Sequence, residues 1–169
     1  MSVQAIAGVS PATESRVMAV FPSIAATAPG MLLGQLYDCM PVRIFGVKLS
    51  SLLFALPTAP IGALIFLLTK ATGKRYVLTN RSLQVWTSLG SRRVSSIPLS
   101  EIGTVTVEQL PGQVFFRAAD IRIKAANGQT LLVLPGVPDF GSFKNAIECT
   151  LRSHRLVKSS MDTINARRS

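Results

Sequence analysis

Apolar and polar positions follow two different rules along this chain, and the change falls near residue 74. Residues 49–69 read LSSLLFALPTAPIGALIFLLT, without a single charge. As one helix this run would extend about 31 Å, close to the thickness of a bilayer core. From Arg75 onward the period is two. Residues 76–78 predict a first strand, and Asn80-Arg81 a tight turn. On the next strand, Leu83, Val85, Thr87 and Leu89 share one side, with Ser82, Gln84, Trp86 and Ser88 on the other. Gly90-Ser91 predicts a turn, and 92–99 a third strand. Residues 100–102 read as one irregular turn, and Val105 and Val107 point inward from a fourth strand. Residues 114–117, 121–124 and 130–134 predict three more, the last two joined by the hairpin signal Asn127-Gly128. After Pro135-Gly136 the period becomes helical, with Pro138 in the first turn and Asp139 near the positive helix end. Phe140, Phe143, Ile147 and Leu151 then fall on one face.

Seven short antiparallel strands and then one amphipathic helix predict a mainly β fold, a barrel or bent sheet covered by its last helix. The expected organisation has four parts. Residues 1–30 form a tail and lead-in, with a short extended piece ending near Pro22. Residues 31–73 form a membrane segment, 74–157 the β domain, and 158–169 a disordered tail. Pro57 and Pro60 leave three layouts open for the apolar segment: one kinked span, two helices near 30–47 and 49–70, or a re-entrant hairpin turning at 57–60. A buried helical hairpin in a soluble protein is the fourth alternative. The run holds 11 Leu, Ile or Phe residues, each worth about −0.3 to −0.6 kcal/mol at a membrane centre, and its other ten positions erode that gain.

Charge sharpens the division. Residues 1–70 carry four cations and two acids, whereas 71–169 carry 14 cations and six acids; the whole chain has net charge +10. Such a surface attracts polyanions, and beside an apolar run anionic lipid is the more economical choice over nucleic acid. Arg43 and Lys48 precede the run, and Lys70, Lys74 and Arg75 follow it. These five fit the flanks of a membrane segment and place the C-terminal domain on the cytoplasmic side. Trp86 lies on a polar strand face near Arg92 and Arg93, a set suited to a membrane interface or a partner.

Signals of catalysis are sparse. Cys39 and Cys149 are far apart, and His154 is the only histidine, which argues against a zinc site or a disulfide framework. Thr72-Gly73-Lys74 lacks both the upstream glycine and the following Ser/Thr of a phosphate loop. Glu101, Glu108 and Asp120 fall on loops or outward strand positions. No enzymatic activity, cofactor, metal or small-molecule substrate is expected.

Several segments taken in order carry a family resemblance: YVLTNRSL at 76–83, Gly90, IPLSEI at 97–102, Val105, Val107, Gln109, DIRI at 120–123 and LPGVPDF at 134–140. Together they resemble the bacterial pleckstrin-homology-like (PH-like) domain that flanks membrane segments in many small bacterial proteins. Glu14 with Pro22-Ser23 is similar to the lead-in often seen there. The resemblance covers about 74–157, and more loosely 14–157. Ser82 and Ala119 depart from it, standing where arginine and glycine are common. It implies a PH-like barrel closed by a C-terminal helix against the cytoplasmic membrane, with no catalytic site to transfer. The first hairpin loop, at 79–81, is shorter than the basic loop of phosphoinositide-binding PH domains. The expected function is therefore a membrane-anchored scaffold or protein–protein interaction module whose partners are the bilayer and other membrane proteins. The alternatives are an accessory subunit of a membrane complex, or a basic peripheral module binding anionic lipid or nucleic acid.

Overall fold

A computed structural model describes residues 14–39, 43–44, 47–89 and 92–167, with the side chains at 43–44, 47–52, 55–56, 162 and 165 outside the description. Two antiparallel sheets hold the core. The first has the order β1-β4-β5-β6, from Arg16–Val20 (β1), Lys74–Thr79 (β4), Ser82–Thr87 (β5) and Arg93–Pro98 (β6). The second is β7-β8-β9, from Ile102–Glu108, Ala118–Ala125 and Thr130–Pro138. A helix, α3 (Phe140–Ala166), covers them. Alternation places Tyr76 and Leu78, Leu83 and Val85, Ile121 and Ile123 in one apolar cluster. Phe143, Ile147 and Leu151 enter it from successive turns of α3, the first two fully buried.

The turns explain the register. Between β4 and β5, the Thr79 hydroxyl accepts the amides of Arg81 and Ser82 at 3.3 and 2.8 Å. This closes a two-residue loop, with Leu78 opposite Leu83. Between β8 and β9, Asn127 Oδ1 accepts the Gln129 amide at 3.0 Å and Gly128 takes φ +83°.

The β domain begins earlier than the sequence suggests. Val20 lies opposite Tyr76, so β1 is an integral strand rather than a lead-in. Five residues with one buried side chain give no readable period; pairing with β4 makes this segment a strand. Everything between β1 and β4 is consequently an insertion between two neighbouring strands. It contains a helix α1 (Ala28–Asp38), the paired dipeptides Arg43–Ile44 (β2) and Val47–Lys48 (β3), and a helix α2 (Leu49–Thr72). Pro29 sits in the first turn of α1, which Thr27 caps by accepting the Gly30 amide at 3.3 Å.

α2 passes through Pro57 and Pro60 as one helix of 24 residues, so the hairpin turning at 57–60 is not adopted. Thr58 lies between the two prolines and donates its hydroxyl to Phe54 O at 2.6 Å, while Tyr37 of α1 bonds the same hydroxyl. Among the described residues, no helix is long and apolar enough to cross a membrane, and the expected transmembrane helix has no support there. The expected tail at 1–13, the turn at Gly90-Ser91 and the side chains of Arg43 and Lys48 lie outside the described residues.

Three other expectations are corrected. Residues 114–117 are not a strand but part of a turn, in which Gly112 and Arg117 have φ of +88° and +50°. Their apolar run reads as a strand, but Phe115 packs against Tyr37 of α1, with the rings tilted and 4.8 Å between their centres, instead of entering the core. β9 continues through Pro135-Gly136 to Pro138, and α3 starts only at Phe140. The tail expected to be disordered is helical to Ala166. No Gly or Pro interrupts the sequence from 142 to 166, and Ser159, Ser160 and Thr163 return their hydroxyls to carbonyls one turn back.

Removing the fully buried Phe143 ring tests the covering role of α3. Phe143→Ala is expected to lower unfolding free energy by about 3–5 kcal/mol, whereas Val157→Ala, exposed on the same helix, should stay within about 0.5 kcal/mol. Urea titration followed by far-UV circular dichroism measures both.

Candidate functional site

The outer face of the four-stranded sheet carries the densest polar arrangement. The pleat that sends Leu83 and Val85 inward sends Ser82, Gln84 and Trp86 outward. The chain preceding β1 folds onto this face. Ser15 and Asn80 hold it there: the Ser15 amide donates to Asn80 Oδ1, and the Asn80 amide to Ser15 O, both at 3.0 Å. Glu14 then meets three donors at one carboxylate oxygen. Thr79 Oγ1 donates at 2.7 Å, Ser82 Oγ at 2.6 Å and Gln84 Nε2 at 2.8 Å. Gln84 completes the chain by accepting Trp86 Nε1–H at 2.8 Å.

These bonds hold the Glu14 carboxyl below its ordinary range, chiefly through the Ser82 and Thr79 hydroxyls, with lesser help from Gln84 and the Arg93 charge. The hydrogen bonds tie the chain before β1 to the face of the sheet. Beside it lies an open groove of about 500 Å³, lined by Arg16, Arg75, Val77 and Trp86 as well as Glu14. The Arg75 guanidinium carbon stands 5.5 Å from the centre of the Trp86 ring. Its Nε is buried without a hydrogen-bond partner among the described residues. One carboxylate, already committed, faces arginines at 16, 75 and 93, so the groove is cationic with an aromatic wall.

Of the residues singled out from the sequence, the fold brings Arg75, Trp86 and Arg93 together, since Trp86 is the cross-strand partner of both arginines. Arg92 is separate and exposed; its backbone pairs with Thr87 at the end of the hairpin. Lys74 is exposed at the start of β4, and Lys70 lies at the end of α2 with Nζ 5.4 Å from the ring centres of Phe21 and Phe66. Glu14, Arg16, Thr79, Ser82 and Gln84 were not readable as a site. Their signal was a polar strand face and a lone acid before a short strand, and only the fold superposes the two.

A second polar hub is structural. Asp120 accepts Gln113 Nε2 at 2.6 Å and the Gly136 amide at 2.8 Å. Burial, reinforced by the Asp120 charge, pushes the Tyr76 phenol above its ordinary range, so it remains a donor to Pro135 O at 3.1 Å. Glu108 pairs with Arg122 at 2.6 Å. Cys39 and Cys149 are free and exposed, and among the described residues no group of His, Cys, Asp or Glu could hold a metal.

The Glu14 contacts predict acid-dependent stability. The folded-state pKa lies below the ordinary 4.5, so the stabilisation is complete above that value and is lost as pH falls through the folded pKa. Glu14→Gln is expected to cost about 1 kcal/mol at pH 7, a modest figure because the side chain is solvent-exposed. The gap between the two proteins should shrink toward pH 3 in thermal unfolding, and a gap independent of pH would refute the assignment.

The comparisons with known proteins agree with this architecture. The family model described as Bacterial PH domain matches residues 19–149. No curated protein and no solved structure matches the chain. The matched stretch begins in β1, crosses the helical insertion and strands β4 to β9, and ends within α3: the chain belongs to the bacterial PH domain family.

Proposed function

We propose that this chain is a non-enzymatic module held at the cytoplasmic face of a membrane, where its PH-like domain serves as a scaffold for protein contacts. The observation that carries this reading is α2. A helix that is apolar all round is normally covered on every side. Yet Leu53, Ile61, Leu64, Phe66, Leu67 and Leu68 all stand exposed. Covering the last five would contribute on the order of 5 kcal/mol. Lys70, Lys74 and Arg75 follow the apolar stretch, as expected for a segment resting against anionic headgroups. The chain's net charge of +10 acts in the same direction, and the excess of cations after α2 supports the cytoplasmic side.

A second reading has one observation of its own. Ala59, Gly62 and Ala63 make a small-residue patch on α2, and a Cβ added at Gly62 would meet nothing within 4 Å. Such a patch suits close packing against a helix of another membrane protein, as in an accessory subunit.

Flotation of the full chain with vesicles containing one-third anionic lipid tests the first reading. The protein is expected to float, and Leu64→Glu with Leu67→Glu should cut the floated fraction at least tenfold without altering far-UV dichroism. A full chain that stays monomeric in buffer without detergent or lipid would sink the proposal. Gly62→Leu separates the readings, since it should leave flotation intact and abolish only a complex isolated in mild detergent.

A further inference from the structure

The three-stranded sheet ends at β7, which pairs with β8 on one side only. An open strand edge is a template for another strand unless something blocks it. Here the block is partial. Arg155 of α3 donates through Nη2 to the carbonyls of Ile102 and Gly103, at 3.3 and 3.5 Å, which closes the first residues of the edge. Among the described residues, none pairs with the outer edge from Thr104 to Val107. Between this edge and α3 runs a groove of about 550 Å³, whose floor includes Val105 and Leu151 and whose rim includes Arg152 and Leu156. Leu156 is 62% exposed. The single acid of the groove, Glu148, already faces Lys144 at 3.6 Å.

An edge open to main-chain pairing, an apolar floor and two arginines on one rim define what fits. We infer that this groove takes an extended segment of a partner protein, added as a fourth strand beside β7, with apolar side chains toward Val105 and Leu156 and carboxylates toward Arg152 and Arg155. Main-chain pairing supplies affinity in this mode, and the alternate side chains supply selectivity. The guanidinium of Arg155 is well placed for both tasks, because it has five donors and the β7 carbonyls engage only Nη2. The inference deepens the scaffold reading but uses none of the residues assigned to membrane attachment, so either can fail alone.

The test uses the full chain in detergent micelles and two capped hexapeptides, one alternating valine with glutamate and the other valine with lysine. With the glutamate peptide, backbone amide shifts should concentrate at residues 103–107 and 152–156. At least one edge amide should exchange with solvent tenfold more slowly. Arg152→Glu, at an exposed position, should weaken the glutamate peptide several-fold, and the pair Arg152→Glu with Arg155→Glu should reverse the preference between the peptides. Leu156→Glu should weaken both. Should the double variant misfold, the single exposed variants decide the question. Shifts clustered instead at Arg75 and Trp86, an unchanged preference in Arg152→Glu, or protection of the β7 edge by anionic vesicles without peptide would each overturn the inference. Flotation failure in Leu64→Glu with Leu67→Glu, with peptide binding retained, would leave it standing.

Discussion

The pairing of β1 with β4 is the constraint on which the rest of this molecule depends. Val20 and Tyr76 lie opposite each other although two helices separate them in the chain. Closing a loop of that length costs about 3.5 kcal/mol beyond a constant term. A five-residue strand cannot offset this by itself. The insertion contributes by fastening itself to the domain at several points. The Ser23 amide donates to Gly136 O at 2.8 Å, and Gln35 reaches Pro111 O at 3.4 Å. Because both ends of the insertion are neighbouring strands of one sheet, the apolar helix has a fixed attachment. It is a built part of the domain, not a leash in front of it.

Close backbone approach sets how α1 sits. A Cβ at Gly34 would fall 2.0 Å from Gly112 O, and one at Gly112 would fall 2.2 Å from Met31 O. The helix therefore touches the 111–117 turn through main chain on both sides. Gly112 is doubly required, since its φ of +88° also disfavours any side chain. With the backbones this close, the Tyr37 and Phe115 rings pack at a tilt, and Tyr37 reaches Thr58 of α2. A short chain of contacts thus runs from the second sheet through α1 to the apolar helix. The Val114–Phe116 run, which looks like a strand in sequence, is spent on this joint.

Strands β4 to β8, the first half of β9 and the inner face of α3 were legible because each side chain's fate follows from its own neighbours in sequence. Leu83 and Val85, or Phe143 and Ile147, carry their period locally. β1 was not legible, since its identity resides in a partner strand beyond two helices. The same reason hid the Glu14 cluster. Ser82 and Gln84 read as an ordinary solvated face, whereas in the fold they are buried under a carboxylate from the chain before β1. Trp86 was legible as an outward aromatic near arginines; its tie to Gln84 and its place over Arg75 needed the register. The end of α3 was misread for a different reason: polar composition alone does not decide between a disordered tail and a solvated helix.

The two grooves differ in what they are made of. The one on the outer face of the first sheet is lined by side chains of β1, β4 and β5 and of the chain before β1, and it offers arginines and an aromatic wall. The groove beside β7 is lined by β7 and α3 and runs along a strand edge that is unpaired among the described residues from Thr104 to Val107. The first groove thus presents charged and aromatic side chains, and the second adds a main-chain edge to them. The proposed membrane contact through α2 and the proposed strand addition at β7 draw on different residues, so neither would consume the groups that the other needs.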